Sequence, residues 1–174
     1  MTSTTRQESI GYTTPGVSQD DAQRIIARLQ ERLHACNGLH LTLTHVHWNV
    51  VGPQFIAVHQ MIDPQVEDVR AMADDLAERI ATLGGSPQGT PMGLARGLDQ
   101  EYSVGRALVE DHLIALDRYY RGVITRHRVA IDEVEKWDPV TQDMLIAQTR
   151  KLELFHWFIR AHLEDPDGRL ETDA

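Results

Sequence analysis

Apolar residues recur every three or four positions along most of the chain, and no segment alternates apolar and polar residues for long enough to predict a strand. Gly52-Pro53 and Gly84-Gly85 interrupt this pattern in the manner of helix ends. The pattern predicts four long helices, over residues 18–51, 54–83, 103–137 and 139–163, and one short helical turn at residues 92–96. Four long helices in a chain of 174 residues favour an all-α fold, a four-helix bundle in one domain.

The two ends of the chain differ in composition from the middle. Residues 1–17 are polar and contain Gly11, Pro15 and Gly16, so we expect a flexible N-terminal tail. Ser18, with Asp21 three positions later, resembles a helix start. Residues 165–174 are predicted to be an acidic C-terminal tail. The bundle is therefore expected to span residues 18–164.

Charge and composition exclude several classes of protein. The net charge is −9, and only two of the 17 basic residues are lysine. Each predicted tail contains a single arginine and no lysine, so neither tail offers the clustered positive charge that nucleic acids require. No apolar run is long enough to span a membrane, and the first residues lack the apolar segment of a secretion signal. A single cysteine, Cys36, is expected to be a buried apolar residue in a cytoplasmic protein.

The second predicted helix has two distinct faces. An apolar stripe suits a bundle core and comprises Ile62, Val66, Val69, Ala73, Leu76, Ile80 and Leu83. At ~100° per residue, His59, Asp63, Asp74 and Glu78 cluster on another face, roughly 110° away. Pro64 is expected to kink this helix or to mark a loose first turn. The polar face indicates that this helix contacts something outside its own bundle.

The spacing along that polar face predicts a site shared between two subunits. His59 and Asp63 lie four residues apart, as do Asp74 and Glu78, and 15 residues separate the two pairs. This separation is roughly 22 Å along a helix, whereas metal–ligand bonds are only about 2.0–2.2 Å long. A two-fold axis near the middle of the helix would bring an antiparallel copy against it and create two identical sites.

The stretches HVHWNVVGPQFIAVHQMID and DDLAERIATLGG resemble the Dps family, the miniferritins of bacteria. The resemblance rests on His-Trp-Asn at residues 47–49 and on His59, Asp63, Asp74 and Glu78 at the spacing of the family. It extends less strictly to the sequence FHWFI at residues 155–159 and covers about residues 18–164.

This resemblance implies a ferritin-like four-helix bundle, with a short helix between its second and third long helices, that assembles as a hollow dodecamer. It implies a ferroxidase that oxidises Fe(II), preferably with hydrogen peroxide, and stores the ferric product as a mineral in the cavity, which protects DNA. Two iron ions would bind each site, with His47, His59 and Asp63 from one subunit and Asp74 and Glu78 from another. Trp48 would lie beside the iron.

Other ligands and partners remain open at this stage. Imidazole and carboxylate ligands suit iron, and Zn or Mn can also bind them. Many Dps proteins bind DNA through lysine-rich tails, which this chain lacks, so we expect weak or absent DNA binding. The protein is expected in the cytoplasm, with association with the nucleoid left open. The alternative function is a DNA-compacting or structural shell with little iron turnover.

Two further sets of residues have competing interpretations. The chain contains two Glu-x-x-His pairs, Glu31–His34 and Glu153–His156. With Glu78 and Glu110 as additional ligands, they suggest the central di-iron site of ordinary ferritins. The resemblance also places Asp138 and Asp143 at a three-fold pore that attracts cations. A solvated helix start with Asp138 as its N-cap is an equally good interpretation.

Overall fold

The computed structural model describes residues 11–98, 100–165 and 167. Its helices and two short strands follow one another as α1 (Gln19–Asn49), β1 (Val50–Val51), α2 (Phe55–Thr82), α3 (Pro91–Gly97), β2 (Ala107–Leu108), α4 (Val109–Val134) and α5 (Pro139–Ala161). The predicted all-α bundle of four long helices, with a short helix between the second and third, is therefore confirmed. The predicted tails lie outside the described residues over 1–10 and 168–174.

The four long helices enclose one apolar core. The most extensive contacts are those of α1 with α2 and of α4 with α5, and α1 also packs against α4. Leu29, Leu43, Ile62, Leu116 and Leu145 are among the fully buried side chains. Among the described residues, no helix is long and apolar enough to cross a membrane.

Side-chain caps begin two of the long helices at the predicted places. Ser18 caps α1, because its side-chain oxygen accepts a hydrogen bond of 3.1 Å from the backbone N–H of Asp21. Asp138 caps α5 by accepting from the backbone N–H groups of Val140 and Thr141. These contacts satisfy backbone donors that a helix leaves unpaired at its start.

The predicted start of the third long helix was wrong. Residues 103–108 are not helical, and α4 begins at Val109. Instead, β2 pairs in parallel with β1, with Val50 opposite Ala107. The imidazole of His45 also donates from Nε2 to the carbonyl oxygen of Val104 at 2.8 Å. These long-range contacts hold the segment in an extended form that local periodicity does not reveal.

The helix α2 continues through Pro64 without interruption. Proline lacks a backbone N–H and normally removes one hydrogen bond from a helix interior. Here the missing backbone N–H belongs to Pro64, which is exposed, while the neighbouring residues Ile62 and Gln65 are fully buried. Burial of the apolar face therefore holds the helix together across the proline.

The centre of the bundle contains several buried polar groups. His127 is fully buried, and its Nδ1 donates to the carbonyl oxygen of Val123 at 3.1 Å, while its Nε2 lies 3.9 Å from the sulfur of Cys36. Tyr120 donates its hydroxyl hydrogen to Oε1 of Gln65 at 2.8 Å. The expected burial of Cys36 is confirmed, and burial raises the pKa of its thiol to about 12. These groups are uncharged at neutral pH.

Replacement of His127 by leucine should reduce the sensitivity of the fold to acid. Burial, assisted by the charge of Arg32, lowers the pKa of His127 to about 4, whereas an unfolded histidine titrates near about 6.5. The folded state therefore binds fewer protons between these values, so its stability is complete above about pH 6.5 and falls as the pH drops towards 4. Between about pH 7.5 and 4.5, wild type should lose on the order of 2–3 kcal/mol more than His127→Leu.

The measurement is the free energy of unfolding in guanidinium at fixed protein concentration, because assembly makes stability depend on concentration. The control is His162→Gln, which changes an exposed histidine at the end of α5. It should keep the pH dependence of wild type. An unchanged pH dependence in His127→Leu would contradict this account.

Candidate metal centre

A tight turn between α1 and α2 brings three of the predicted ligands together. His47 lies in the last turn of α1, and His59 and Asp63 lie near the start of α2. The connection is short and includes Gly52 with a φ of +114°, a backbone conformation that L side chains rarely adopt. This glycine allows the chain to reverse direction so that the end of one helix faces the beginning of the next.

The two histidines lie against each other. The rings of His47 and His59 are stacked, with their centroids 3.8 Å apart. Nδ1 of His59 donates to the carbonyl oxygen of His47 at 3.0 Å. Because a carbonyl oxygen only accepts, the hydrogen of the neutral His59 ring is on Nδ1 and its Nε2 lone pair is left for a metal.

The carboxylate of Asp63 completes this group. Its Oδ1 lies 3.0 Å from Nδ1 of His47, and 58% of the Asp63 side chain is exposed. This approach does not have hydrogen-bond geometry, and Nδ1 of His47 is buried without a hydrogen-bond partner. A buried polar atom without a partner is unusual in folded proteins and is often explained by an ion or a catalytic role. A metal ion beside Asp63 would supply a partner for this nitrogen.

The other two predicted ligands lie elsewhere on the same helix. Asp74 and Glu78 are exposed and one turn apart. Asp74 lines a surface recess of about 290 Å³ together with Asn37 and Arg70. A separation of eleven residues puts Asp74 roughly 16 Å from Asp63 along the helix. One chain therefore does not bring all five residues together.

Within the described residues, no group of three or more His, Cys, Asp or Glu side chains is arranged to hold a metal ion. His47, His59 and Asp63 come close but offer at most part of a coordination sphere.

The Glu-x-x-His pairs of the alternative central site do not converge. Glu31 pairs with Arg28 at 2.9 Å on the surface of α1. Glu153 accepts from Nε of Arg128 at 2.7 Å on the surface between α4 and α5. The histidines of both pairs contact other groups. Nε2 of His34 lies 3.2 Å from the carbonyl oxygen of Gln88, and Nε2 of His156 lies 2.7 Å from Oδ1 of Asp117. The two additional glutamates, Glu78 and Glu110, are exposed.

The two predicted pore residues have different surroundings. Asp138 is buried, pairs with Arg79 and accepts from Thr141. Burial acts to raise the pKa of Asp138, but the hydrogen bonds from Thr141 and Arg79 and the charge of Arg79 outweigh it and hold this pKa below its usual value. Asp143 is exposed. The contacts of Asp138 account for its capping role, and a pore role for either residue stays a prediction.

Sequence reasoning missed the buried carboxylate of Asp117. It accepts from His156 on one oxygen and from Nη2 of Arg121 on the other at 2.8 Å, and its side chain is 1% exposed. The i, i+4 spacing of Asp117 and Arg121 was visible in the sequence. The contact with His156 was not visible, because it joins two helices that are distant in sequence.

Exposed apolar side chains lie close in sequence to the half-site, the group formed by His47, His59 and Asp63. Trp48 is 74% exposed, Ile56 is 58% exposed and Phe55 is 37% exposed. The ring of Phe55 lies 5.0 Å from that of His59. Adjacent exposed apolar residues of this size are typical of a surface that contacts another protein chain.

Comparison with known proteins identifies the family. A family model described as a ferritin-like domain matches residues 26–168. The chain is 54% identical over 164 residues to the DNA protection during starvation protein of Mycolicibacterium smegmatis, covering 94% of this chain and 90% of that protein. This chain is a Dps protein of the ferritin-like family.

Other Dps-like relatives bear different names. The chain is 48% identical over 160 residues to the fine tangled pili major subunit of Haemophilus ducreyi, covering 91% of this chain and 85% of that protein. The solved structure of DpsA14 from Streptomyces coelicolor is 57% identical and superposes with a TM-score of 0.92, covering 94% of this chain and 98% of that one. The resemblance inferred from residues 47–78 is thus confirmed as membership of the Dps family.

Proposed function

We propose that this Dps protein is a ferroxidase that oxidises Fe(II), preferably with hydrogen peroxide, and stores Fe(III) as a mineral within a hollow dodecamer. The half-site formed by His47, His59 and Asp63 carries this proposal. It combines a buried imidazole nitrogen that makes no hydrogen bond, a second imidazole oriented by a backbone carbonyl, and an exposed carboxylate. The protection named for the Mycolicibacterium smegmatis relative would follow from removal of iron and peroxide.

A second subunit would complete the site. A two-fold axis near the middle of α2 would bring Asp74 and Glu78 of the partner against the half-site of the first subunit. It would also bring Asp74 and Glu78 of the first subunit against the half-site of the partner. The exposed apolar residues Trp48, Phe55 and Ile56 would then be covered by the partner. This arrangement supplies carboxylates to iron without requiring any change within one bundle.

The ligand types suit the proposed reaction. Imidazole and carboxylate bind Fe(II) while leaving coordination positions open for an oxidant. One hydrogen peroxide molecule accepts two electrons, one from each of two Fe(II) ions, and its O–O bond breaks to give two hydroxide ions and two Fe(III) ions. Two iron ions at each shared site match this electron count. Zn or Mn would bind the same ligands.

A structural shell is the second candidate function. The relative from Haemophilus ducreyi is named as the major subunit of a pilus and is 48% identical to this chain. A shell of this kind would assemble through the same surfaces and show little iron turnover. Iron oxidation therefore distinguishes the two candidates.

We further propose that direct DNA binding is weak or absent and that the protein acts in the cytoplasm, with the nucleoid as the alternative location. The net charge is −9, and the final eleven residues carry Glu164, Asp165, Asp167, Glu171 and Asp173 against Arg169 alone. Affinity for DNA depends mainly on clustered cations that release counterions. Protection of DNA would then be chemical.

Loss of the half-site should abolish fast iron oxidation. Fe(II) is added to metal-free protein without oxygen, peroxide follows, and ferric absorbance is recorded for wild type and His47→Ala/Asp63→Ala. We expect wild type to oxidise iron at least about 100-fold faster than the variant, because the variant lacks two of the three proposed metal ligands of the half-site.

The matched control is His162→Ala/Asp132→Ala, which also removes one histidine and one aspartate, both exposed and far from the half-site in sequence. It should oxidise iron at the wild-type rate. Equal and slow oxidation by all three proteins, with assembly retained, would contradict the ferroxidase proposal and favour the structural shell.

DNA binding is measured by fluorescence anisotropy of a labelled duplex at about 150 mM salt. We expect no saturable binding at micromolar protein, because neither tail carries clustered positive charge. A version with a lysine-rich N-terminal extension serves as the positive control and should bind. Tight binding by the unmodified protein would show that a surface other than the tails recognises DNA.

A further inference from the structure

The four proposed ligands on α2 are symmetric about one point of that helix. His59 and Glu78 lie equally far from the boundary between residues 68 and 69, and so do Asp63 and Asp74. A two-fold axis that creates both shared metal sites must therefore pass close to this boundary. The position of the axis follows from the proposed function, and the inference below depends on it.

Two opposite charges lie on either side of the same point. Glu67 and Arg70 are equally far from the boundary, and at ~100° per residue both lie within about 30° of the centre of the ligand face. Their side chains are 71% and 63% exposed. The adjacent Asp68 instead pairs with Lys151 of α5 at 2.9 Å, so it faces its own bundle.

Within one chain these two charges interact weakly. Nη2 of Arg70 lies 3.4 Å from Oε2 of Glu67, and both groups remain largely exposed. Solvent-exposed pairs three residues apart on a helix contribute little to stability. Their contact within one chain therefore does not account for an acid and a base set symmetrically about the proposed axis.

We propose that Glu67 and Arg70 from two subunits form a four-charge cluster on the two-fold axis and thereby set the register of the paired α2 helices. In the antiparallel pair, Glu67 lies level with the partner's Arg70, and Arg70 lies level with the partner's Glu67. Packed helices are about 8–10 Å apart, a gap that glutamate and arginine side chains bridge together. The occupant of this charged surface is thus a second copy of the chain.

The register set by these charges positions the metal ligands. A slip of one helical turn would displace the partner's Asp74 and Glu78 by about 5.4 Å from the half-site. Such a slip would also move Glu67 away from the partner's Arg70, and the loss of this attraction opposes the slip. Glu67 and Arg70 are therefore positioning residues that act on the iron site through the subunit interface.

Charge reversal tests this arrangement. Glu67→Arg places four arginines at the axis, and Arg70→Glu places four glutamates there. Each variant alone should associate at least about tenfold more weakly than wild type, because like charges would face each other across the interface. Association is measured by sedimentation velocity, and circular dichroism confirms that each chain remains helical.

Mixing the two variants is the decisive step. An arginine-rich chain facing a glutamate-rich chain restores opposite charges at the axis, so an equimolar mixture should assemble to within about twofold of wild type. The double variant Glu67→Arg/Arg70→Glu should also assemble alone. A purely intrachain role predicts no recovery on mixing, because each chain still lacks its own ion pair.

Arg24→Glu and Glu31→Arg serve as controls, since they make the same charge changes at exposed positions of α1. Each should assemble alone as wild type does. Wild-type association of the single α2 variants, or no recovery on mixing, would overturn the proposal. Recovery of assembly without peroxide-driven iron oxidation would uphold the charge cluster and contradict the ferroxidase function.

Discussion

The rigidity of α2 is the constraint on which the rest of this account depends. A continuous helix keeps Asp63 and Asp74 roughly 16 Å apart, whereas the ligands of one metal ion must all approach within about 2.2 Å of it. No rearrangement of side chains removes this difference. Asp63 and Asp74 of one chain therefore cannot bind the same ion, and the symmetric spacing of the proposed ligands favours two equivalent sites between two chains.

Among the described residues, the interior of the bundle brings no comparable set of metal-binding side chains together. His127 and Cys36 in this interior are neutral, because burial lowers the pKa of His127 and raises the pKa of the Cys36 thiol. The buried carboxylate of Asp117 is already paired with His156 and Arg121. The charged members of both Glu-x-x-His pairs form ion pairs with arginines at the surface. A cation in the centre would meet little unpaired negative charge from these groups. The exposed face of α2 has the opposite character, with carboxylates, imidazoles and apolar side chains adjacent to one another.

Much of this arrangement could be predicted from the sequence. Helical periodicity and the capping residues Ser18 and Asp138 gave the long helices, because these signals are local. The resemblance also implied a site with His47, His59 and Asp63 from one chain; these three side chains lie close together, and their role as metal ligands stays a prediction. Membership of the Dps family followed from the same residues.

Features that depend on distant contacts could not be predicted in this way. The segment at residues 103–108 is extended because β2 pairs with β1, which lies more than fifty residues earlier. Proline at position 64 does not interrupt α2, because the burial of its neighbours outweighs one lost hydrogen bond. His127 occupies a core position in the helical pattern, but its neutral state follows from burial by other helices.

Complementation between two inactive proteins tests the shared site most directly. His47→Ala/Asp63→Ala and Asp74→Ala/Glu78→Ala each damage a different half of every site, so neither should oxidise iron rapidly alone. After dissociation and random reassembly of an equimolar mixture, half of the dimers contain one of each chain, and each of these has one intact site. Peroxide-driven iron oxidation should therefore return to about one quarter of the wild-type rate. A mixture that reassembles and stays inactive would contradict a site built from two subunits.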